Sequence, residues 1–226
     1  MTATKFESPP KVDRTMGMAS TELTIDLIVF DMDGVLARLD YGKRLDALAN
    51  ATGKSAELIN EAIYDSDFER DAERGYYRTG GEYLAEFNRR IGAKLTRAQW
   101  IAARRDATVP IDGTFAVVRR LKGRYPLAAL TNNGSLLKQS ISTILPAAYE
   151  LFGDAFHASY EFEARKPEPE VFARLARHCG VECSRTVFVD DNLEYLNGAD
   201  KAGMHTVHFT TAETLVTQLK QVGIDL

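Results

Sequence analysis

Short apolar runs alternate with longer stretches of helical periodicity over much of the chain. The run LTIDLIVFD at residues 23–31 is rich in β-branched and bulky apolar residues and ends in acids, which predicts a strand buried on both faces. Similar runs occur in PLAALTN at 126–132 and RTVFVDDN at 185–192. Shorter strand candidates are AFHASYEF at 155–162 and MHTVHF at 204–209. Amphipathic stretches that predict helices separate these runs.

The region between the first strand and the others has a different pattern. From about Arg38 to Thr108 the periodicity is helical, and no stretch reads convincingly as a buried strand. The predicted helix boundaries in this region are C-terminal glycines at Gly53 and Gly75 and N-caps at Ser55, Thr79 and Thr96.

The order of these elements predicts the fold class. Strands that alternate with helices need crossover connections, which give a parallel sheet covered on both faces. We therefore predict an α/β fold: a Rossmann-like, doubly wound parallel sheet core with an inserted all-helical domain. The helical segment, residues 38–108, follows the first strand, and residues 21–37 and 109–226 form the core. Residues 1–20 are polar and contain Pro9-Pro10, which predicts a disordered tail.

Composition and charge exclude several classes of protein. The net charge of −4 provides no basic field for nucleic acid, and no stretch approaches the roughly 20 apolar residues of a membrane span. The first residues lack the apolar core of a secretory signal, and Cys179 and Cys183 have too few metal-ligating neighbours for a zinc site. We expect a cytoplasmic monomer or weak homodimer that binds neither nucleic acid nor membranes.

Polar residues that suit one metal ion and one phosphoryl group follow the predicted strands. Ligands of parallel α/β sheets bind at the carboxyl ends of the strands. The polar residues expected at that edge are Asp31, Asp33, Thr131, Asn132, Asp190 and Asp191, with Lys166 just before a helix. Four neighbouring carboxylates repel one another unless a cation lies among them, and an all-oxygen set favours Mg²⁺. The lysine, hydroxyl and amide groups suit an anion such as phosphate.

These residues resemble the four motifs of the haloacid dehalogenase-like (HAD) hydrolase superfamily. Asp31-Met32-Asp33-Gly34 matches its D-x-D-G motif, Thr131-Asn132 its threonine motif, Lys166 its lysine motif and Asp190-Asp191 its acidic motif. The helical segment resembles the type-1 cap of the family. The likeness spans about residues 27–209.

The resemblance implies a role for each motif residue. Asp31 would be the nucleophile that forms an aspartyl-phosphate, and Asp33 would act as the acid and base. Mg²⁺ would be bound by Asp31, Asp191 and the backbone carbonyl of Asp33. The phosphoryl oxygens would be bound by Thr131, Asn132 and Lys166, with Asp190 in support.

The second aspartate favours phosphoester chemistry within the superfamily. A halide leaves without a proton, whereas an alkoxide needs an acid, and dehalogenases resembling this fold lack the residue that matches Asp33. We expect hydrolysis of a small phosphorylated metabolite, a sugar phosphate or a similar compound. A phosphomutase resembling β-phosphoglucomutase is the alternative. A dehalogenase, a signalling receiver domain and a catalytically silent binding protein are weaker alternatives.

The sequence of the predicted cap resembles that of glucose-1-phosphatase-like sugar phosphatases. Arg74 and Tyr77 flank a glycine turn and are candidates for contacting the leaving group of the substrate. The simpler interpretation is that both side chains face solvent or pack between helices.

Overall fold

The strands form one parallel sheet and one short antiparallel ribbon. The computed structural model describes residues 24–226, so the expectation for residues 1–20 lies outside the described residues. The strands are β1 (Leu27–Phe30), β2 (Ala37–Leu39), β3 (Thr108–Pro110), β4 (Leu127–Thr131), β5 (Phe156–Ala158), β6 (Thr186–Asp190) and β7 (His205–His208). Five of them form the parallel sheet in the order β5-β4-β1-β6-β7. The central strand is therefore the one that carries the first motif.

Helices account for most of the remaining chain. They are α1 (Tyr41–Thr52), α2 (Ala56–Ile59), α3 (Phe68–Glu73), α4 (Gly80–Ile91), α5 (Arg97–Asp106), α6 (Asp112–Leu121), α7 (Ser135–Lys138), α8 (Ile141–Ile144), α9 (Pro146–Phe152), α10 (Pro169–His178), α11 (Leu193–Lys201) and α12 (Ala212–Gln221). A π-helical turn covers Asn60–Tyr64, and 3-10 turns cover Gly153–Ala155, Ser159–Phe162 and Cys183–Arg185. None of the helices in residues 24–226 is both long and apolar enough to cross a bilayer.

Helices cover both faces of the sheet. Side chains alternate between the faces of a strand, so β1 divides its four buried residues between two clusters. Ile28 and Phe30 pack in the cluster that includes residues of α6 and α12, whereas Leu27 and Val29 pack with residues of α10 and α11. The predicted α/β fold with a Rossmann-like, doubly wound sheet is confirmed.

The helical segment packs around aromatic side chains. The ring of Tyr83 lies 4.9 Å from that of Phe68 and 5.7 Å from that of Trp100. The predicted N-caps at Ser55, Thr79 and Thr96 and the left-handed C-cap at Gly53 are confirmed. The β2–β3 ribbon joins the two chain crossings between this segment and the sheet. The division of the chain into a core and a cap domain stays a prediction.

One predicted helix is wrong. The stretch from Ser55 to Gly75 was expected to be continuous, but the π-helical turn ends at Tyr64 and α3 begins only at Phe68. Ser66 causes part of this break, because its hydroxyl donates to two carbonyls of the preceding turn. After this break α3 ends at Glu73, which lines the same cavity as Asp31.

Candidate active site

The turn after β1 directs two aspartates to different sides of the site. Gly34 has φ of 102°, and a Cβ added there would lie 2.4 Å from Oδ2 of Asp191, so glycine is required for this close approach. Asp31 is buried at the carboxyl edge of the sheet. The Asp33 carboxylate instead meets the helical segment, where Nη2 of Arg104 donates to both of its oxygens at 2.6 and 2.8 Å.

Lys166 lies at the centre of the site between two carboxylates. Its Nζ is 2.7 Å from Oδ1 of Asp31 and 2.7 Å from Oδ2 of Asp190, and the side chain is only 1% exposed. The ring of Tyr195 also lies 4.7 Å from the ammonium. These partners offset the cost of removing the charged ammonium from water, and they fix it in one position.

The residues after β4 support this lysine. Nδ2 of Asn132 donates to the carbonyl of Lys166, and Oδ1 of Asn132 accepts from its N–H, both at 2.9 Å. Oγ1 of Thr131 accepts from Nδ2 of Asn133 at 2.8 Å, which leaves the hydroxyl proton available for another acceptor. In this structure Asn132 therefore positions Lys166. The predicted phosphoryl contacts of Thr131 and Asn132 stay predictions.

Three acids form a set that could hold a cation. Carboxylate oxygens of Asp31, Asp190 and Asp191 lie within 4.8 Å of one another. Both oxygens of Asp190 already have partners, since Oδ2 faces Lys166 and Oδ1 accepts from the N–H of Asn192. Asp191 is exposed and lines the cavity. The donor chemistry fits Mg²⁺ bound mainly by Asp31 and Asp191.

Burial and mutual repulsion shape the titration of these groups. Burial raises the pKa of Asp31, and Lys166 partly opposes that effect. Burial acts to lower the pKa of Lys166, but Asp31 and Asp190 outweigh it, so its pKa is raised and the lysine stays charged. The pKa of Asp191 is raised by burial and by Asp190. Neighbouring acids with raised pKa values are typical of a site where a bound cation would relieve the repulsion between carboxylates.

These residues surround one small cavity of about 300 Å³. Its lining residues are Asp31, Asp33, Glu73, Thr131, Asn132, Lys166, Asp191, Asn192 and Tyr195. The structure thus brings together the residues predicted from the strand ends, with Asp190 fully buried behind Lys166. A larger cavity of about 770 Å³ touches Gly34 and Asp191, but neither Asp31 nor Lys166 lines it.

The two candidates from the predicted cap lie elsewhere. Arg74 forms an ion pair with Glu168, and Tyr77 packs its ring 5.2 Å from that of Phe68. Neither is among the described residues that line the 300 Å³ cavity. Their positions give no support to the predicted contact with a leaving group.

Three residues at the site are not identified from the sequence: Glu73, Arg104 and Tyr195. The sequence places Asn192 at the end of its strand but assigns it no role. Asn192 directly follows the acidic motif, and Tyr195 lies one helical turn further on, so proximity to the motif was an available signal. Glu73 immediately precedes Arg74. Nothing in the local sequence separates Arg104 from the other charged residues of α5.

Fold and site together define the class of this protein. It is a Rossmann-like α/β protein whose sheet edge gathers acids, a buried lysine and a hydroxyl around one cavity. The model of the haloacid dehalogenase-like hydrolases matches residues 25–203. The chain belongs to this family of hydrolases, which confirms the resemblance seen in its motifs.

Similar proteins of the family span most of the chain. The phosphatase MT3486 of Mycobacterium tuberculosis is 26% identical over 190 residues, which cover 80% of this chain and 86% of that relative. A glyceraldehyde 3-phosphate phosphatase of Methanopyrus kandleri is 28% identical over 200 residues, covering 81% and 83% of the two chains. A wild-type HAD family enzyme from Bacteroides thetaiotaomicron was solved with magnesium and inorganic phosphate. Its TM-score is 0.64, with 20% identity over 83% of this chain and 95% of its own. At this identity the comparison shows a similar fold.

Proposed function

We propose that this protein is a magnesium-dependent phosphatase. It hydrolyses a small phosphomonoester, such as a sugar phosphate, through an aspartyl-phosphate on Asp31. The observation that carries the proposal is the contact of Asp31 with the buried ammonium of Lys166 at the base of a cavity that Asp33 and Asp191 also line. Two similar proteins that are named phosphatases support it.

The base of the cavity suits the transferring phosphoryl group. Asp31 would attack phosphorus and form the covalent intermediate. Lys166 would stabilise the phosphoryl oxygens without having to reorganise, because Asp31 and Asp190 already fix its ammonium. Mg²⁺, bound by Asp31, Asp191 and the backbone carbonyl of Asp33, would supply further positive charge at the same oxygens.

Asp33 suits the proton transfers of the reaction. Its carboxylate is 32% exposed, lines the cavity and is oriented by Arg104, so it can meet both a leaving oxygen and a water molecule. It would protonate the leaving alcohol in the first step and deprotonate the attacking water in the second. A dehalogenase needs no acid in the first step, which is why Asp33 favours phosphoester hydrolysis.

The proposal is tested by hydrolysis of phosphomonoesters with and without Mg²⁺. The wild-type protein should release inorganic phosphate in a Mg²⁺-dependent manner, and Asp31→Asn should abolish it. Asp26→Asn is the matched control, because Asp26 precedes the same strand and pairs with Arg185, outside the residues that line the cavity. Phosphate release by Asp31→Asn at the wild-type rate would contradict the proposal, and formation of an isomeric phosphate ester instead of free phosphate would favour a mutase.

A further inference from the structure

Glu73 is an acid that lines the cavity proposed to hold the substrate. It is the last residue of α3 and, of the described residues between 38 and 108, the one that lines the catalytic cavity. The Ser159 hydroxyl donates to its backbone carbonyl at 2.9 Å, and Arg165 donates through Nε to Oε2 of its carboxylate. Both contacts come from the sheet side of the site. They hold Glu73 at the cavity that Asp31 also lines.

The carboxylate of Glu73 has hydrogen-bonding capacity left for a ligand. Its side chain is 14% exposed, and its hydrogen bond among the described residues engages only Oε2. Oε1 is therefore an available acceptor for a hydroxyl group in the cavity. Burial raises the pKa of Glu73 to about 7, an effect that Arg165 opposes, so the group is mainly ionised in mildly alkaline solution.

Within residues 24–226, the cavity lining provides no free cation for a second anionic group. Among the described residues that line it, Lys166 is the one cation, and two carboxylates already engage its ammonium. Beyond the residues assigned to the phosphoryl group and the metal, Glu73, Asn192 and Tyr195 remain to contact the leaving group. These are one acid and two neutral polar groups. A negative charge on the leaving group would approach the Glu73 carboxylate, whose partner Arg165 is not among the described residues that line the cavity. Like charges brought together in a binding site repel.

The volume of the cavity favours a small leaving group. A cavity of about 300 Å³ lies at the low end of ligand pockets and must also contain the phosphoryl group. A short polyol fits this space better than a nucleoside.

We propose that Glu73 is a specificity-determining residue that selects a small, hydroxyl-bearing leaving group and rejects one that carries its own negative charge. This inference rests on the proposed phosphatase function and deepens it by naming the substrate class. The Glu73 carboxylate accepts a hydrogen bond from a substrate hydroxyl, and its charge disfavours carboxylate-bearing or bisphosphorylated esters.

Two esters of equal size test the charge directly. Glycerol 3-phosphate and 3-phosphoglycerate differ in one group, which is CH₂OH in the first and a carboxylate in the second. At about pH 8, where Glu73 is mainly ionised, the wild-type kcat/KM should favour glycerol 3-phosphate by about tenfold or more. Glu73→Gln keeps the shape and a hydrogen-bond acceptor but removes the charge. It should reduce that preference by about tenfold, chiefly through a lower KM for 3-phosphoglycerate.

The control must alter a similar ion pair without touching the cavity. Glu163→Gln does so, because Glu163 pairs with Arg78 between the same parts of the chain and does not line the cavity. It should leave the preference unchanged. An equal loss of preference in Glu163→Gln would overturn the inference, since the effect would then come from the ion pairs and not from the cavity.

Other outcomes separate the inference from the function on which it rests. Equal wild-type kcat/KM for the two esters, or an unchanged preference in Glu73→Gln, would overturn the role of Glu73 while leaving the phosphatase function intact. Faster turnover of phosphoethanolamine than of glycerol 3-phosphate would also overturn it, because Glu73 would then be a receptor for an ammonium group. Absence of hydrolysis of every phosphomonoester by the wild-type protein would refute the proposed function itself.

Discussion

Replacing Arg104 by methionine should impair catalysis while leaving stability almost unchanged. Arg104 lies on α5, is 1% exposed, and reaches Asp33 through a single nitrogen, Nη2. Its other nitrogens, Nε and Nη1, are buried without a hydrogen-bond partner among the described residues. Methionine fills a similar volume with no charge, so the substitution removes both the ion pair and the buried polar groups.

Opposing contributions nearly cancel in the stability of the folded protein. At an effective dielectric constant of about 20, a pair of charges about 4 Å apart attracts by roughly 4 kcal/mol. Each unpartnered buried donor costs about 1–3 kcal/mol, which offsets most of that attraction. Asp33 is 32% exposed, so water can solvate it once the arginine is gone. We expect the free energy of unfolding to change by no more than about 1 kcal/mol.

Catalysis should be more sensitive, because it depends on where the Asp33 carboxylate lies. Without Arg104 that carboxylate is free to rotate, and a misplacement of about 1 Å can cost about 100-fold in rate. We expect kcat/KM for a phosphomonoester to fall by between about 10-fold and 100-fold. Arg105→Met is the control: Arg105 is the next residue of α5, is half exposed and pairs with Asp106.

A double-mutant cycle shows whether Arg104 acts through Asp33. Urea unfolding followed by circular dichroism gives the stabilities, and steady-state kinetics give kcat and KM for wild type, Arg104→Met, Asp33→Asn and the double variant. If Arg104 only orients Asp33, its loss should have little further effect in the Asp33→Asn background. Additive losses would refute this reasoning, as would wild-type kinetics in Arg104→Met. Destabilisation by more than about 3 kcal/mol would refute the cancellation.

Four further substitutions test individual contacts. Asp33→Asn should lower kcat by about 10²–10⁴-fold, which leaves a residual rate that can still be measured, yet preserve binding of a phosphate analogue measured by calorimetry. Equal loss of rate and binding would contradict a role in proton transfer. Gly34→Ala should destabilise the fold by about 1–3 kcal/mol and raise the Mg²⁺ concentration needed for half-maximal activity, because the new Cβ would lie 2.4 Å from Asp191. An unchanged Mg²⁺ titration would count against Asp191 as a ligand. Lys166→Met should leave two buried carboxylates uncompensated and lower the free energy of unfolding by about 3–5 kcal/mol, with a smaller loss in acid; a pH-independent loss would contradict the cause. The pKa of Glu73 rises from 4.5 to about 7 on folding, so its ionisation lowers the stability of the folded wild-type protein as the pH rises between these values. From acid to mildly alkaline solution, Glu73→Gln should therefore gain up to about 3 kcal/mol of stability relative to wild type. A difference in stability that does not depend on pH would exclude the raised pKa.

The residues at the base of the site can be predicted from the sequence because the end of a buried strand is visible as the end of an apolar run. Asp31, Thr131 and Asp190 each terminate an apolar run, and the carboxyl ends of parallel strands necessarily meet at one edge. The same logic predicted the fold class, since buried strands and amphipathic helices differ in period. No knowledge of side-chain packing is needed for either step.

The residues around the leaving group could not be found in this way. Arg104 and Glu73 lie on helices of the segment between residues 38 and 108, where neighbouring positions carry similar charges. Which of these charges faces the sheet depends on the direction of each helix. α3 begins only after the break at Ser66, which the periodicity of the sequence does not reveal. The predicted residues Arg74 and Tyr77 are therefore close to Glu73 in the sequence, but of the three only Glu73 lines the cavity.

Residues from the sheet and residues from the helical segment are expected to have different roles in the site. The groups proposed to act on the phosphoryl group, such as Asp31 and Lys166, come from strand ends and a loop bound to them, so they are fixed by the buried sheet. The groups proposed to act on the leaving-group side, Glu73 directly and Arg104 through Asp33, come from the helical segment. Changes at Lys166 should thus lower the turnover of every phosphomonoester to a similar extent. Changes at Glu73 should alter the order in which esters are preferred, because only those changes depend on what the phosphoryl group is attached to.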